Sequence, residues 1–540
     1  MTTIGLGLRF GRWGIMGFSG LAFVSSLIQA VGFYQLAGHT PAERALFGRS
    51  MSQLASRFTL ILPPPTRLDT VGGYVQWRSY GGLAILFAVW ALVSASGAAR
   101  GDEERGVVEA VLAASVTRLG WIGSRIAGFA FASFVAALAG GLGFIVGAAS
   151  GGESVSLRPV LEESVVLAAL ALSCYSLTLL VEQLTSARIA TAAAGIVLLT
   201  LFLANTFSRT FTSLTSVRWL SPFRYYELSQ PLAPGGYFNG RATLALVAIA
   251  IATAAAAGVG FAFRDLGSPL LRLPAQARPA SFDPSVAPMW RIAVVRGLFE
   301  RRLGLAAWAA GLAALGAIFV SLTRSIIQPL LSIPALTHYF GGFVHGPVYT
   351  SFLGYFWLGV AELLFAAFAI AQVARWSAED ADGRLELILS NPQSRAAVVV
   401  ERAIVLGLGA ALIAAVSGAA VAVASHYQAM DVSGERLAEA SLLLVPFALV
   451  FGAAGSALAT WNPRAAIGLL GAFAFASYLI SEVGPLFKWP AWVDDLSAFK
   501  LFGTPLSTGV DRSGLLTMLA IILVGFGASI LLMQRRDVGA

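Results

Sequence analysis

Asp102-Glu103-Glu104-Arg105-Gly106-Val107-Val108-Glu109-Ala110-Val111-Leu112 is a short stretch, acidic at its start and apolar at its end, followed by Arg118 and Arg125. Its skeleton, Gly106-x-x-Glu109-x-x-Leu112 and then the two arginines, returns 277 residues later as Gly383-x-x-Glu386-x-x-Leu389, with Arg395 and Arg402. The same shift pairs Glu162 with Glu439 and Ser164 with Ser441. A shift of 276 pairs Arg188 with Arg464, Gly195 with Gly471, and Leu220-Ser221-x-Phe223-Arg224 with Leu496-Ser497-x-Phe499-Lys500. One residue of slippage over so long a register marks an internal duplication. The chain reads as two copies of one unit.

Composition says what kind of unit. Of 540 residues, 57% are hydrophobic and 12% charged, about half the charged share of an average soluble domain. So few charges cannot cover several water-soluble cores. A span needs about 20 apolar residues, and twelve segments qualify. The first six are Ile15–Ala37, Ser79–Ala99, Ile126–Ala149, Ser164–Val181, Ile189–Phe207 and Ala242–Phe263. The second six are Leu303–Thr323, Ser351–Ala374, Ala403–Ser425, Ala440–Trp461, Ala465–Ser481 and Leu515–Gln534. Uninterrupted runs of this kind are helices, because barrel strands alternate over roughly 10 residues. The expected fold is therefore an all-α polytopic membrane protein: 12 transmembrane helices as two parallel six-helix repeats, a pseudo-dimer about an axis along the membrane normal.

The expected divisions are an N-terminal six-helix half, 1–264, a cytosolic linker, 265–300, and a C-terminal six-helix half, 301–540. The linker holds five prolines, which disfavour a continuous helix. It ends in a basic amphipathic segment, Met289 to Arg302, that echoes Gly7 to Gly14, so each half is expected to open with a short helix at the inner membrane surface. The formal charge of +8 comes from 34 Arg and 2 Lys against 28 acids. Arginine is denser in the loops that face the cytosol when both termini lie inside, which sets that orientation in the cell membrane. Such a balance reflects anionic lipid, not nucleic acid.

Cys174 is the one cysteine, which excludes a disulfide framework and a cysteine-based metal site, and the four histidines lack ligand spacing. No clustered His/Asp/Glu constellation suggests an enzyme. No cofactor is expected on the chain. A phosphate loop needs Gly-x4-Gly-Lys-[Ser/Thr], yet Phe487 precedes Lys488 and Phe499 precedes Lys500.

The quoted motif falls after the second span of each half. Glu103 and Glu104 lead into Gly106, Glu109 and Leu112, and Arg118 closes. Glu379 and Asp380 lead into Gly383, Glu386 and Leu389, with an Asn391-Pro392 stop before Arg395. Acids at the start and a base at the end suit the helix dipole, and the apolar positions fall on one stripe. One reading is a passive helix on lipid headgroups. The other is a docking helix for a protein partner, since lipid-facing helices favour basic polar faces.

These elements resemble the ABC-2 class of ABC transporter permeases, the second motif more closely than the first, where Ser115-Val116-Thr117 replaces Asn-Pro. The Leu220-Ser221-Pro222-Phe223 and Leu496-Ser497-Ala498-Phe499 segments share the resemblance. It implies that the motif is a coupling helix seated on a separate ATPase subunit, present in two copies, which would hold ATP and Mg. Fused double-length forms are similar to exporters of polyketide antibiotics and other drugs. The implied cargo is an outward-bound amphiphile: drug, antibiotic or lipid-like molecule. A 12-helix secondary transporter driven by an ion gradient is the alternative.

Glu362 sits well inside a span, where a charge costs about 3 kcal/mol on insertion scales and turns to the bundle interior. It reads either as structural or as a contact for cargo or a proton. Glu162 and Glu439, at outer span ends, read as symmetric architecture or an outer gate. Phe223 and Phe499 belong to outer aromatic segments that either anchor at the interface or form re-entrant helices narrowing an exit.

Overall fold

The computed structural model describes residues 3–38, 40–55, 64–114, 116–209, 212–271, 292–331, 348–381, 383–390, 393–487 and 489–535. Asp382, Asn391-Pro392, Ser115 and the proline-rich stretch 272–291 lie outside them. The chain divides into two compact units, Met1–Pro279 and Ala280–Ala540.

In the first unit the helices are α1 (Thr3–Ala37), α2 (Pro41–Ala55), α3 (Val71–Glu104), α4 (Val107–Ala113), α5 (Arg118–Ser150), α6 (Leu157–Leu184), α7 (Ala187–Phe207), α8 (Pro222–Glu227) and α9 (Gly240–Phe263). In the second they are α10 (Ala293–Glu300), α11 (Arg302–Leu331), α12 (Tyr349–Asp380), α13 (Arg384–Leu389), α14 (Arg395–Tyr427), α15 (Gly434–Trp461), α16 (Pro463–Phe487) and α17 (Arg512–Arg535). Among the described residues there is no strand, and 11 helices are long and apolar enough to cross a membrane. The apolar run of the remaining candidate, Ala465–Ser481 in α16, is shorter.

The two units use the same lengths at the same shift. Helices α5 and α14 are both 33 residues long, and α6 and α15 both 28. Matching side chains start them: Thr117 Oγ1 accepts from Gly120 N at 3.0 Å, and Ser394 Oγ from Ala397 N at 3.1 Å, satisfying N–H groups a helix start leaves orphaned. Helices α3 and α12 each contain a five-residue π turn, Gln76–Tyr80 and Gly354–Leu358.

Two expectations need correction. The N-terminus has no separate surface helix: Thr3–Ala37 is one continuous helix, with no proline and no left-handed residue to stop it. Only the second unit has the break, at Arg301 between α10 and α11. The fourth span, read from Ser164 to Val181, belongs to a 28-residue helix that carries Glu163 and Glu182 within it.

Small residues let these helices close. A Cβ on Gly143 of α5 would lie 2.1 Å from the Phe23 carbonyl oxygen of α1, the close approach that drives packing where lipid and side chain are equally apolar.

Candidate functional site

Each long second span ends in a sharp elbow. Gly106 (φ 68°) and Gly383 (φ 71°) adopt the left-handed conformation, which stops a helix and which a residue with a Cβ resists. Gly106 N donates to Glu103 O at 3.0 Å, and Gly383 N to Asp380 O at 3.2 Å. The short helices α4 and α13 start there, at seven and six residues. The first stops at Ala113, although it lacks the Asn-Pro stop of the second.

The apolar stripes of both short helices face their own bundles. Val108 is fully buried, and Val107, Val111 and Leu112 pack on the core of the first unit. Leu385 is buried with Val398, Val399 and Met533, and Ile388 and Leu389 pack against that cluster. Glu104, Glu109, Glu386 and Leu387 are left facing outward. A groove of about 420 Å³ lies beside the second elbow, lined by Glu386, Leu389, Ser390, Gln393 and Arg395.

The remaining acids and bases of the motif wire each elbow to its bundle. Asp102 pairs with Arg105 at 2.7 Å and with Arg125 of α5, and 277 residues on, Glu379 pairs with Arg402 of α14 at 2.7 Å. Arg118 Nη1 donates to the Arg264, Phe261 and Ala262 carbonyls at 2.6, 3.2 and 3.3 Å. Arg395 Nη1 donates likewise to Met533 and Gln534 at 2.8 and 3.3 Å. Each arginine thus caps the carbonyl end of its unit's last span, a favourable place for a cation.

Glu103 is the chief departure from the sequence reading. It is buried, held by Arg264 through both oxygens at 2.9 and 2.6 Å, by Arg100 at 3.1 Å and by Gly267 N at 2.7 Å. It therefore faces inward and is not part of an exposed docking face. Asp380 is half-buried.

Inside the spans, Glu362 is 8% exposed on α12, with buried Ala361, Phe365 and Ala366 along the same helix. Two buried carboxylates escaped the sequence reading. Glu163 accepts from Tyr226 Oη at 2.8 Å, and Glu182 accepts from Ser96 Oγ. Both sit just past the edges of the apolar run, so only the helix's greater length brings them inside.

Glu162 makes an intrahelical pair with exposed Arg158 at 2.8 Å, and Glu439 is exposed. Phe223 is buried against Phe202 at 5.2 Å. Phe499 is buried among Phe447, Phe451 and Tyr478 at 5.2 to 6.0 Å. Burial, then Glu163, push the Tyr226 hydroxyl well above its usual range. Burial also raises Glu227, against the pull of Arg209 and of Asn205, which donates at 2.7 Å.

Eleven helices among the described residues long and apolar enough to cross a membrane define a multi-pass membrane protein. Over residues 74–262 and 298–532 the chain matches the family described as multidrug efflux system permease Rv1217c, C-terminal domain, and it belongs to that family. No curated protein matches it.

Proposed function

We propose that the chain is the membrane subunit of an ABC-2 type exporter. It moves an amphiphilic cargo outward while ATP and Mg are handled by separate ATPase subunits, two copies, one under each elbow. The chain crosses the cell membrane twelve times, counting Ala465–Ser481, with both termini cytosolic and the two six-helix sets about an axis along the membrane normal.

The observation that carries this reading is the doubled elbow: a left-handed glycine, a short helix with its apolar side packed inward, and one glutamate, Glu109 or Glu386, presented outward. Behind each, charge pairs tie the elbow to the bundle, buried at the first elbow and half-buried at the second. A push on the short helix would therefore reach the span ends as rigid motion.

The buried carboxylates Glu163, Glu182 and Glu362 favour a second reading, ion-gradient-driven transport, because intramembrane acids mark proton and ion paths. Proteoliposomes separate the two. Loaded with a fluorescent amphiphile, they should lose it only when the partner ATPase and ATP are supplied. Transport by the chain alone, abolished by a protonophore, would establish the second reading instead.

A further inference from the structure

Beside the first elbow lies a hollow of about 300 Å³. Gly11 and Gly14 of α1 line one side; a Cβ on Gly11 would meet nothing within 4 Å, whereas one on Gly14 would lie 3.0 Å from Trp90 Nε1. Much of the remaining lining is aromatic. Phe129 and Tyr175 stack at 4.2 Å with an 11° tilt, and Trp90 stands 5.0 Å from Phe129. Asp102, Arg105 and Arg125 form the rim.

The rim has a definite sign. Asp102 gives one oxygen to Arg105 and the other to Arg125, so the three ionised groups sum to one positive charge. Arg105 is 59% exposed. It directs Nε to the Gly101 carbonyl at 2.9 Å and Nη2 to Asp102 at 2.7 Å, which leaves Nη1 donors of its five-donor fork for an anion.

The second unit has no counterpart wall. At the 277-residue shift, Phe129 and Tyr175 become Leu406 and Gly452, and Leu406 closes on that glycine: a Cβ there would lie 2.1 Å from Leu406 Cδ2. The hollow is a property of the first unit's own residues.

We infer that this cavity binds an amphiphile carrying an anionic group, with its apolar body on Trp90, Phe129 and Tyr175 and its charge on Arg105 and Arg125. Aromatic faces alone would also welcome a cation, but the positive rim opposes one. The assignment deepens the exporter reading and rests on it only for what the ligand is for. Binding is measurable without ATP or a gradient.

The test uses the full chain in phosphatidylcholine nanodiscs and two probes with the same ring system, pyrenebutanoate and a pyrenyl trimethylammonium. Saturable binding of the anionic probe is expected, at least about tenfold tighter than that of the cation. A Cβ on Gly11 meets nothing within 4 Å, so Gly11→Phe should fill the hollow and abolish the saturable component while the protein remains monodisperse. Arg105→Gln should weaken the anion by about tenfold or more, as loss of a charged hydrogen bond does, and leave the cation unchanged. Discs containing phosphatidylglycerol distinguish the sources: displacement of the probe identifies a membrane lipid as the occupant, and persistence identifies cargo. Undiminished binding to Gly11→Phe, or tighter binding of the cation, would overturn the assignment whether or not the chain proves to be ATP-driven.

Discussion

Arg264 Nη2 lies 2.6 Å from Glu103 Oε2, across 161 residues of sequence, with the two side chains only 1% and 4% exposed. The pair joins the end of α9 to the turn before the first elbow, and Arg100 and Gly267 N complete the carboxylate's partners. A buried charge of this kind is held by its partners, not by water, so removing one side leaves the other stranded.

Glu103→Ala should therefore cost about 3–5 kcal/mol, the range for breaking a buried pair. Glu104→Ala, at an exposed position one residue on, should stay within about 0.5 kcal/mol. Thermal unfolding in detergent measures both. Equal melting of the two variants would show that the clamp does not bear on the fold.

The elbow glycines give a second expectation. A Cβ on Gly106 or Gly383 meets nothing within 4 Å, so the only penalty for alanine is the left-handed backbone. That is about 1–2 kcal/mol per site. Gly106→Ala and Gly383→Ala should each lower stability by this amount, whereas Gly→Asn, which tolerates the conformation better, should lose less. If alanine and asparagine are equivalent, backbone conformation is not what holds the elbow.

Glu227 gives a pH dependence with a definite sign. Burial raises its carboxyl above the ordinary value, overcoming Arg209 and Asn205. A carboxylate whose folded pKa is raised contributes stability that is fully present below its unfolded value, about 4.3, and lost as pH rises through the folded value. The stability of the parent relative to Glu227→Gln should therefore grow as pH falls from neutrality toward the unfolded value. A difference that shrinks over that interval would reverse the sign.

The apolar runs and the matching elbow skeletons were legible because they depend on residue type and spacing alone. Gly106 and Gly383 stood out as matching points of the repeated skeleton, but their left-handed backbone was not read from the sequence. Which acids face outward was not legible either. Glu103 and Glu104 are adjacent and chemically alike, and the choice between them is made by Arg264, far along the chain. Glu162 drew notice because it repeats at Glu439, yet the buried carboxylate is its neighbour Glu163, whose counterpart is the buried Ala440. Helix ends were misjudged for a related reason. Hydropathy marks where the apolar run stops, whereas α6 continues to Leu184 because Glu182 finds a partner in Ser96.

The two elbows are alike in backbone and differ in surface, and docking should expose the difference. Glu109 and Glu386 are both exposed, but the second borders a groove shared with Leu389, Ser390, Gln393 and Arg395, and it has an exposed leucine, Leu387, beside it at 71%. An ATPase gripping α13 could combine apolar contact on Leu387 with a charged hydrogen bond to Glu386; on α4 the neighbour is Ala110. Losing one such bond costs about 1–3 kcal/mol, which is roughly a five- to hundredfold loss of affinity. Glu386→Ala should therefore reduce co-purification of the ATPase, and cargo efflux at matched expression, more than Glu109→Ala does. Leu387→Ser should add to the defect, since it removes the apolar contact without touching the charge. A larger loss from Glu109→Ala would keep the docking proposal and reverse the asymmetry. Full assembly and transport by all three variants would mean that the partner, if there is one, grips some other surface.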